Sequence, residues 1–162
     1  MSAVTEVMAI AAMAALLGSA IVAGVFFAFS SFVMGGLARL PAAEGIAAMQ
    51  SINVVVLNRS FLGAFVGTAA VSLVVAGLAV ARWGNPEAPW FLAGALAYIG
   101  GTFLVTGLGN VPLNDRLAAA CAADPGAVPL WEHYLERWTR LNTLRTVAAA
   151  AAVLLFLVGL RQ

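Results

Sequence analysis

The sequence contains very little charge. Charged residues make up 9% of its 162 residues, against about 25% in an ordinary globular domain. Lysine is absent, and eight arginines against seven acidic residues leave a formal net charge of +1 with the histidine neutral. So small a net charge produces no field that would attract nucleic acid or acidic partners.

Cysteine and histidine each occur only once. The single Cys121 excludes an intramolecular disulfide and a metal site built from several cysteines. The single His133 argues against a metal site with several histidines and against haem held by two of them. Dinucleotide-binding motifs are absent as well. We therefore expect the protein to use no cofactor and no metal.

Long apolar runs are abundant instead, and hydrophobic residues make up 63% of the chain. Four runs reach the length of about 20 residues that a membrane-spanning helix needs. They cover residues 7–34, 61–81, 88–109 and 141–160. The first run lacks the basic start of a signal peptide, because Glu6 is the only charge before Arg39. The sequence predicts an all-α integral membrane four-helix bundle, a single domain over residues 1–162, with short interfacial helices in the first and third connections.

Arginine is unevenly distributed between the two ends of this predicted bundle. The connections at residues 35–60 and 110–140 hold five arginines, whereas the opposite end holds two. The positive-inside rule therefore places both connections in the cytoplasm of a multi-pass protein of the cell (inner) membrane. We expect the lipid bilayer as the main partner, and a homo-oligomer is compatible with the sequence.

Polar and aromatic residues are concentrated near the third connection. An Asn-x-Pro-x-Asn motif covers residues 110–114, and a helix beginning near Pro129 follows. At 100° per residue, Trp138, Asn142 and Arg145 all lie within about 40° of Trp131 on this helix. His133 falls among charged residues on other faces, which is typical of a solvated surface. Amides and charges on the inward face are costly to bury, so this stripe predicts a polar site.

Simpler explanations exist for several of these residues. Asn110 and Asn114 could cap the helix ends around Pro112. Arg145 could extend its side chain to the membrane surface, or form a buried guanidinium that holds an oxyanion. The Phe-rich segment around Phe29 and Ser30 could serve packing or line an aromatic pocket.

The chain resembles a family of small four-span membrane proteins of unknown function that includes the anthrone oxygenases. The Asn-x-Pro-x-Asn motif followed by Trp-x-x-x-Asn-x-x-Arg is the most specific part of the resemblance. The matching segments in this chain are residues 24–34, residues 49–53, Leu57-Asn58 with Phe61, residues 110–114, and Trp138 with Asn142 and Arg145. Where the family has Leu-Asn-Pro, this chain has Leu57-Asn58-Arg59.

The anthrone oxygenases of this family resemble cofactor-independent oxygenases, which turn an anthrone into an anthraquinone with O₂. The resemblance therefore implies an oxygenase-like protein that acts on a hydrophobic aromatic or quinone-like small molecule. Such chemistry needs an apolar aromatic pocket, donors for an enolate oxygen, and a base, for which Asp115 is the nearest acid. The predicted catalytic residues are Asn110, Asn114, Asn142 and Arg145, and the predicted substrate-binding residues are Asn53, Trp131, Trp138, Phe29 and Ser30. Two alternatives remain open: a non-catalytic protein that binds or carries a lipophilic ligand, and a structural or assembly protein.

Overall fold

The computed structural model of the protein describes residues 3–162, and within that range it contains helices and no β-strand. The first long helix, α1 (Ala3–Ala28), is continued by a π-helical turn at Phe29–Val33 and a last turn at Met34–Leu37. The third long helix, α4 (Ala88–Tyr98), is continued by π-helical segments at Ile99–Leu104 and Thr106–Asn110. The α-helices are α1 (Ala3–Ala28), α2 (Ala42–Val55), α3 (Arg59–Ala81), α4 (Ala88–Tyr98), α5 (Val111–Ala118) and α6 (Val128–Gly159).

The four long helices form an antiparallel bundle. Helix α1 packs against α3 and α6. Helix α4 packs against the same two helices and lies diagonally across the bundle from α1. Consecutive helices are therefore neighbours, and the last helix closes the ring onto the first, as in an up-and-down four-helix bundle. The predicted all-α bundle is confirmed.

The outside of the bundle is apolar. The helical runs Val4–Leu37, Arg59–Ala81, Ala88–Ala118 and Pro125–Gly159 are long and apolar enough to cross a membrane. Large apolar side chains such as Leu108, which is 80% exposed, cover the outer surface. A helix that is apolar on all sides is stable when lipid covers its outer face. The protein is therefore suited to a lipid bilayer.

Glycines bring α4 close to α6. A Cβ added to Gly101 would overlap the Cβ of Ala148, and one added to Gly94 would lie 3.0 Å from the Phe156 ring. Small residues at such points let two membrane helices approach closely. The Gly63-x-x-x-Gly67 pair on α3 differs, because added Cβ atoms there would meet nothing within 4 Å.

Two short helices cover one end of the bundle. Pro112 lies in the first turn of α5, which follows the π-helical segment Thr106–Asn110 directly. Because proline has no N–H, it leaves a carbonyl of the preceding turn without a helical donor. Helix α2 is held to the end of α5 by Gln50, whose Nε2 donates to the carbonyls of Leu117 at 2.8 Å and Ala120 at 3.0 Å. These contacts hold α2 across the polar end of the bundle.

Candidate functional site

Helix α6 presents the predicted stripe to the interior. Trp131, Trp138, Asn142 and Arg145 are all buried, and Arg145 is only 3% exposed. The charged residues of the other faces are exposed, and His133 is among them. The phase predicted from the sequence is confirmed, because one continuous helix carries all four residues.

The Arg145 guanidinium lies in the centre of the bundle and not at its surface. Its Nη2 donates to Asn142 Oδ1 at 2.6 Å, and its Nη1 donates to Thr106 Oγ1 at 3.0 Å. Its Cζ lies 4.0 Å from the centre of the Phe26 ring and 5.2 Å from that of Trp138. The cation is therefore held by two neutral oxygens and two aromatic faces.

No acidic side chain neutralises this cation within residues 3–162. The ion pair found in that range joins Arg140 and Glu136 on the exposed face of α6. The Nε of Arg145 is buried and has no hydrogen-bond partner among residues 3–162. A guanidinium carries five N–H donors, so Arg145 retains donors for a further acceptor. A buried charge without a counter-ion is strongly disfavoured, so this geometry suits an anionic ligand.

The π-helical segments direct two threonines at Arg145. Thr102 Oγ1 donates to the backbone carbonyl of Arg145 at 3.2 Å. Thr106 Oγ1 donates to the carbonyl of Thr102 at 2.8 Å, which leaves its lone pairs to accept from the guanidinium. π-Helical turns often occur at functional sites, and here they supply one of the oxygens that hold the cation.

Asn142 is fully occupied by interactions within the bundle. Its Nδ2 donates to the carbonyl of Phe26 at 2.6 Å and to Ser30 Oγ at 2.7 Å. Its Oδ1 accepts from Arg145. Both amide hydrogens are thus used, and Asn142 ties α1 to α6 while it orients the guanidinium.

Asn114 is the centre of a second network. Its Oδ1 accepts from Tyr134 Oη and from Trp138 Nε1, both at 2.8 Å. Asn53 Nδ2 donates to Tyr134 Oη at 3.4 Å. Because an indole N–H can only donate, the atom facing Trp138 must be the oxygen. The Nδ2 of Asn114 therefore points the other way, and it has no partner within residues 3–162.

Asn110 contacts the backbone of α6 and does not cap α5. Its Nδ2 donates to the carbonyl of Trp138 at 3.2 Å, and its Oδ1 is buried without a partner in the described part of the chain. No side-chain hydrogen bond caps the start of α5, so the capping explanation for Asn110 is wrong. Asn58 caps α3, because its Oδ1 accepts from the backbone N–H of Phe61 at 3.0 Å.

A cavity of about 450 Å³ lies beside these networks, roofed by α2. Its volume falls within the range of about 300–1,000 Å³ typical of small-molecule sites. The predicted residues that line it are Phe29, Asn53, Asn114, Trp138 and Arg145. The predicted residues that do not line it are Ser30, Asn110, Trp131 and Asn142. The first group can contact a ligand, whereas the second supports the wall from behind.

Aromatic rings form much of the cavity wall. Phe61 and Phe65 stack with ring centres 5.8 Å apart, and Phe65 stacks on Phe103 at 5.2 Å. Phe29 packs against Trp138 at 5.6 Å. Flat rings of this kind suit a flat aromatic ligand, because ring pairs are stabilised beyond the area they bury.

Two further residues belong to the site. Tyr134 links Asn53 to Asn114, and its position one turn from both Trp131 and Trp138 is the sequence signal for it. Asp115 lines the cavity and supplies the carboxylate among the lining residues. Its side chain forms no ion pair or hydrogen bond within residues 3–162. In the same range no three His, Cys, Asp or Glu side chains are grouped as metal ligands would be.

The chain matches one protein-family model. The family model for anthrone oxygenase matches residues 57–155, a stretch that includes Asn114, Asp115, Trp138 and Arg145. No curated protein and no solved structure matches the chain. Because the family model covers more than half of the sequence, the chain belongs to the anthrone oxygenase family.

Proposed function

We propose that the protein is a cofactor-independent oxygenase that converts the CH₂ group of a hydrophobic, anthrone-like aromatic ketone into a second carbonyl. The observation that carries the proposal is the buried Arg145 guanidinium, which lines an apolar cavity and has no acidic partner in residues 3–162. Family membership supplies the reaction class.

Arg145 suits a reaction in which negative charge develops on the substrate. The ketone is neutral, and the enolate formed from it carries a negative oxygen. Donors held in a water-poor site stabilise such an oxygen far more than they stabilise the ketone, and that difference accelerates the reaction. The guanidinium of Arg145, which lines the cavity, is one such donor. The Nδ2 of Asn114, which has no partner within residues 3–162, is a second.

Asp115 is the proposed base. It takes one proton from the CH₂ carbon, and the electron pair moves through the ring to the carbonyl oxygen. The carbanion-like carbon then transfers an electron to O₂ and combines with the resulting superoxide to give a peroxide, which is protonated. Loss of the second proton from the same carbon breaks the O–O bond and expels hydroxide. In total CH₂ and O₂ become C=O and H₂O, with carbon losing four electrons and O₂ gaining four.

The aromatic wall orients the substrate for this chemistry. Phe29, Phe61 and Trp138 offer ring faces to a flat tricycle. Electrostatic contacts are stronger beside so apolar a lining than they are in bulk water. The residues behind the wall fix the donors. Asn142 holds the guanidinium, and Tyr134 with Trp138 holds Asn114.

The test is turnover of anthrone by the purified protein in detergent. We expect anthraquinone to form faster than by autoxidation, with one O₂ consumed per quinone. Arg145→Ala should return the rate to the autoxidation level, whereas Arg161→Gln, which removes a charge at the exposed C-terminus, should leave it unchanged. Equal rates for wild type and Arg145→Ala would exclude this function. Anthrone that binds and is recovered unchanged after aerobic incubation would instead favour a carrier of lipophilic molecules.

A further inference from the structure

A second cavity lies on the outer surface of the bundle, between the helical run from α4 to α5 and helix α6. It is an open groove of about 650 Å³. None of its lining residues belongs to the cavity that contains Arg145, because α5 separates the two. The groove is apolar along most of its length and basic at one end, with Leu104, Leu108 and Leu141 in the first part and Arg116, His133 and Arg137 in the second.

The basic end carries positive charge that the described residues do not neutralise. Arg116 and Arg137 form no ion pair and no hydrogen bond within residues 3–162, and no acidic residue lines the groove. Two of the nearby acids have other surroundings. Asp115 lines the other cavity, and Glu136 pairs with Arg140 at 3.4 Å. The groove therefore has two exposed guanidinium groups available for an anion.

The length of the groove matches one leaflet of a bilayer. Its lining residues run from Gly100 to Arg116, and sixteen residues at the α-helical rise of 1.5 Å span at most about 24 Å, since the π-helical part is more compact. The distance from the bilayer midplane to the outer headgroup region is about 20–22 Å, half of the full thickness. A lipid whose headgroup lies at Arg116 would thus extend its acyl chain toward Gly100.

Glycine keeps the deep end of the groove open. A Cβ added to Gly100 would meet nothing within 4 Å, so a larger side chain there would project into free space. Leu104 and Leu108, one and two turns closer to the basic end, are both exposed on the bundle surface. An acyl chain lying along them would cover apolar surface that is otherwise open.

We propose that this groove binds one anionic phospholipid, with the phosphate and headgroup at Arg116, His133 and Arg137 and an acyl chain along Leu104 and Leu108. Basic pockets between membrane helices are suited to acidic headgroups, because each arginine near an anionic lipid surface adds attraction. The paired requirement for negative charge and a hydrocarbon chain distinguishes this occupant from free phosphate.

The charge requirement is tested by native mass spectrometry of the protein in neutral detergent. Dioleoyl phosphatidylglycerol should bind in preference to dioleoyl phosphatidylcholine, and Arg116→Gln/Arg137→Gln should weaken the former about fivefold per arginine. The control Arg39→Gln/Arg59→Gln removes the same charge from the same end of the bundle, outside the groove, and should bind as wild type. If the double variant is unstable, Arg116→Gln and Arg137→Gln are measured singly, and each should bind phosphatidylglycerol about fivefold more weakly than the wild type.

The chain requirement is tested separately. Gly100→Leu should fill the deep end and weaken phosphatidylglycerol binding without any change in charge, whereas Gly77→Leu on α3, also in open space, should not. Inorganic phosphate at millimolar concentration should fail to displace the lipid. Equal loss in the groove and control double variants, equal binding of the two lipids, or full displacement by phosphate would each overturn the proposal.

Discussion

Replacing Arg145 with methionine should separate catalysis from stability. Methionine is flexible and apolar and can fill most of the space that the arginine stem occupies. The substitution removes the cation, its hydrogen bonds to Asn142 and Thr106, and its contacts with the rings of Phe26 and Trp138. In the proposed reaction the cation stabilises the enolate oxygen, whereas in the fold its hydrogen bonds are opposed by the cost of burying the charge.

The effect on catalysis should be large. Removing one preorganised donor to a developing oxyanion lowers kcat by about 100-fold to 1,000-fold. Arg145 is the charged donor of the cavity, so we expect a loss of at least that size in kcat/KM for anthrone. Arg145→Lys keeps a positive charge without the planar fork of donors, and its kcat/KM should lie between that of the wild type and that of Arg145→Met.

The effect on stability should be small, because two terms of similar size oppose each other. Two hydrogen bonds from a charged donor contribute about 3–6 kcal/mol together. The desolvation of a buried ion costs several kcal/mol, and the methionine removes that penalty. We expect the free energy of unfolding to change by less than about 2 kcal/mol. Asn142→Leu keeps the buried charge and removes its acceptor, so it should destabilise the protein more, by about 2–3 kcal/mol.

The assay pairs two measurements on the same preparations. Quinone formation gives kcat/KM, and denaturant titration in mixed detergent micelles gives the free energy of unfolding. A structural role alone for Arg145 would produce the reverse pattern, with unchanged ligand binding and turnover and a clear loss of stability. The reasoning is also refuted if Arg145→Met destabilises the protein more than Asn142→Leu does.

Three further predictions concern the base, the helix contacts and a helix cap. Asp115→Asn should lower the turnover of anthrone about 100-fold to 10,000-fold with binding retained, and Asp124→Asn, in the exposed turn before α6, should leave kinetics unchanged. Gly101→Ala should destabilise the protein by about 1–3 kcal/mol in denaturant titrations because the added Cβ overlaps α6, and an equal or smaller effect than that of Gly77→Ala would contradict the packing argument. Asn58→Ala removes the N-cap of α3 and should lower the free energy of unfolding by about 1 kcal/mol, a value that thermal and denaturant unfolding can check.

Helical phase made the inward stripe of α6 predictable. The positions of Trp131, Trp138, Asn142 and Arg145 follow from 3.6 residues per turn, and one uninterrupted helix preserves that relation. The exposure of His133 follows from the same arithmetic. Apolar run lengths likewise predicted the four long helices, because crossing a bilayer sets a minimum length. Helical phase alone does not show which of these residues faces the cavity and which supports its wall.

Long-range pairing decided those roles. The Asn142 Nδ2 donates to Phe26 and Ser30, which lie more than a hundred residues away in the sequence. Asn142 therefore supports the guanidinium instead of facing the cavity. The Oδ1 of Asn114 accepts from Tyr134 and Trp138, and its Nδ2 has no partner among the described residues, 3–162. Both residues are asparagines beside an apolar span, and nothing local distinguishes them.

The sequence by itself determined the elements of this protein: four apolar helices, an inward stripe on the last of them, and membership of a family. These depend on composition, periodicity and motif, which are local properties of the chain. Only the tertiary structure decided that Arg145 lacks an acidic partner in the described residues, that Asp115 lines its cavity, and that α2 roofs it. Such facts depend on which faces of distant helices meet, and helix packing sets those contacts through shape and hydrogen bonding across the whole bundle.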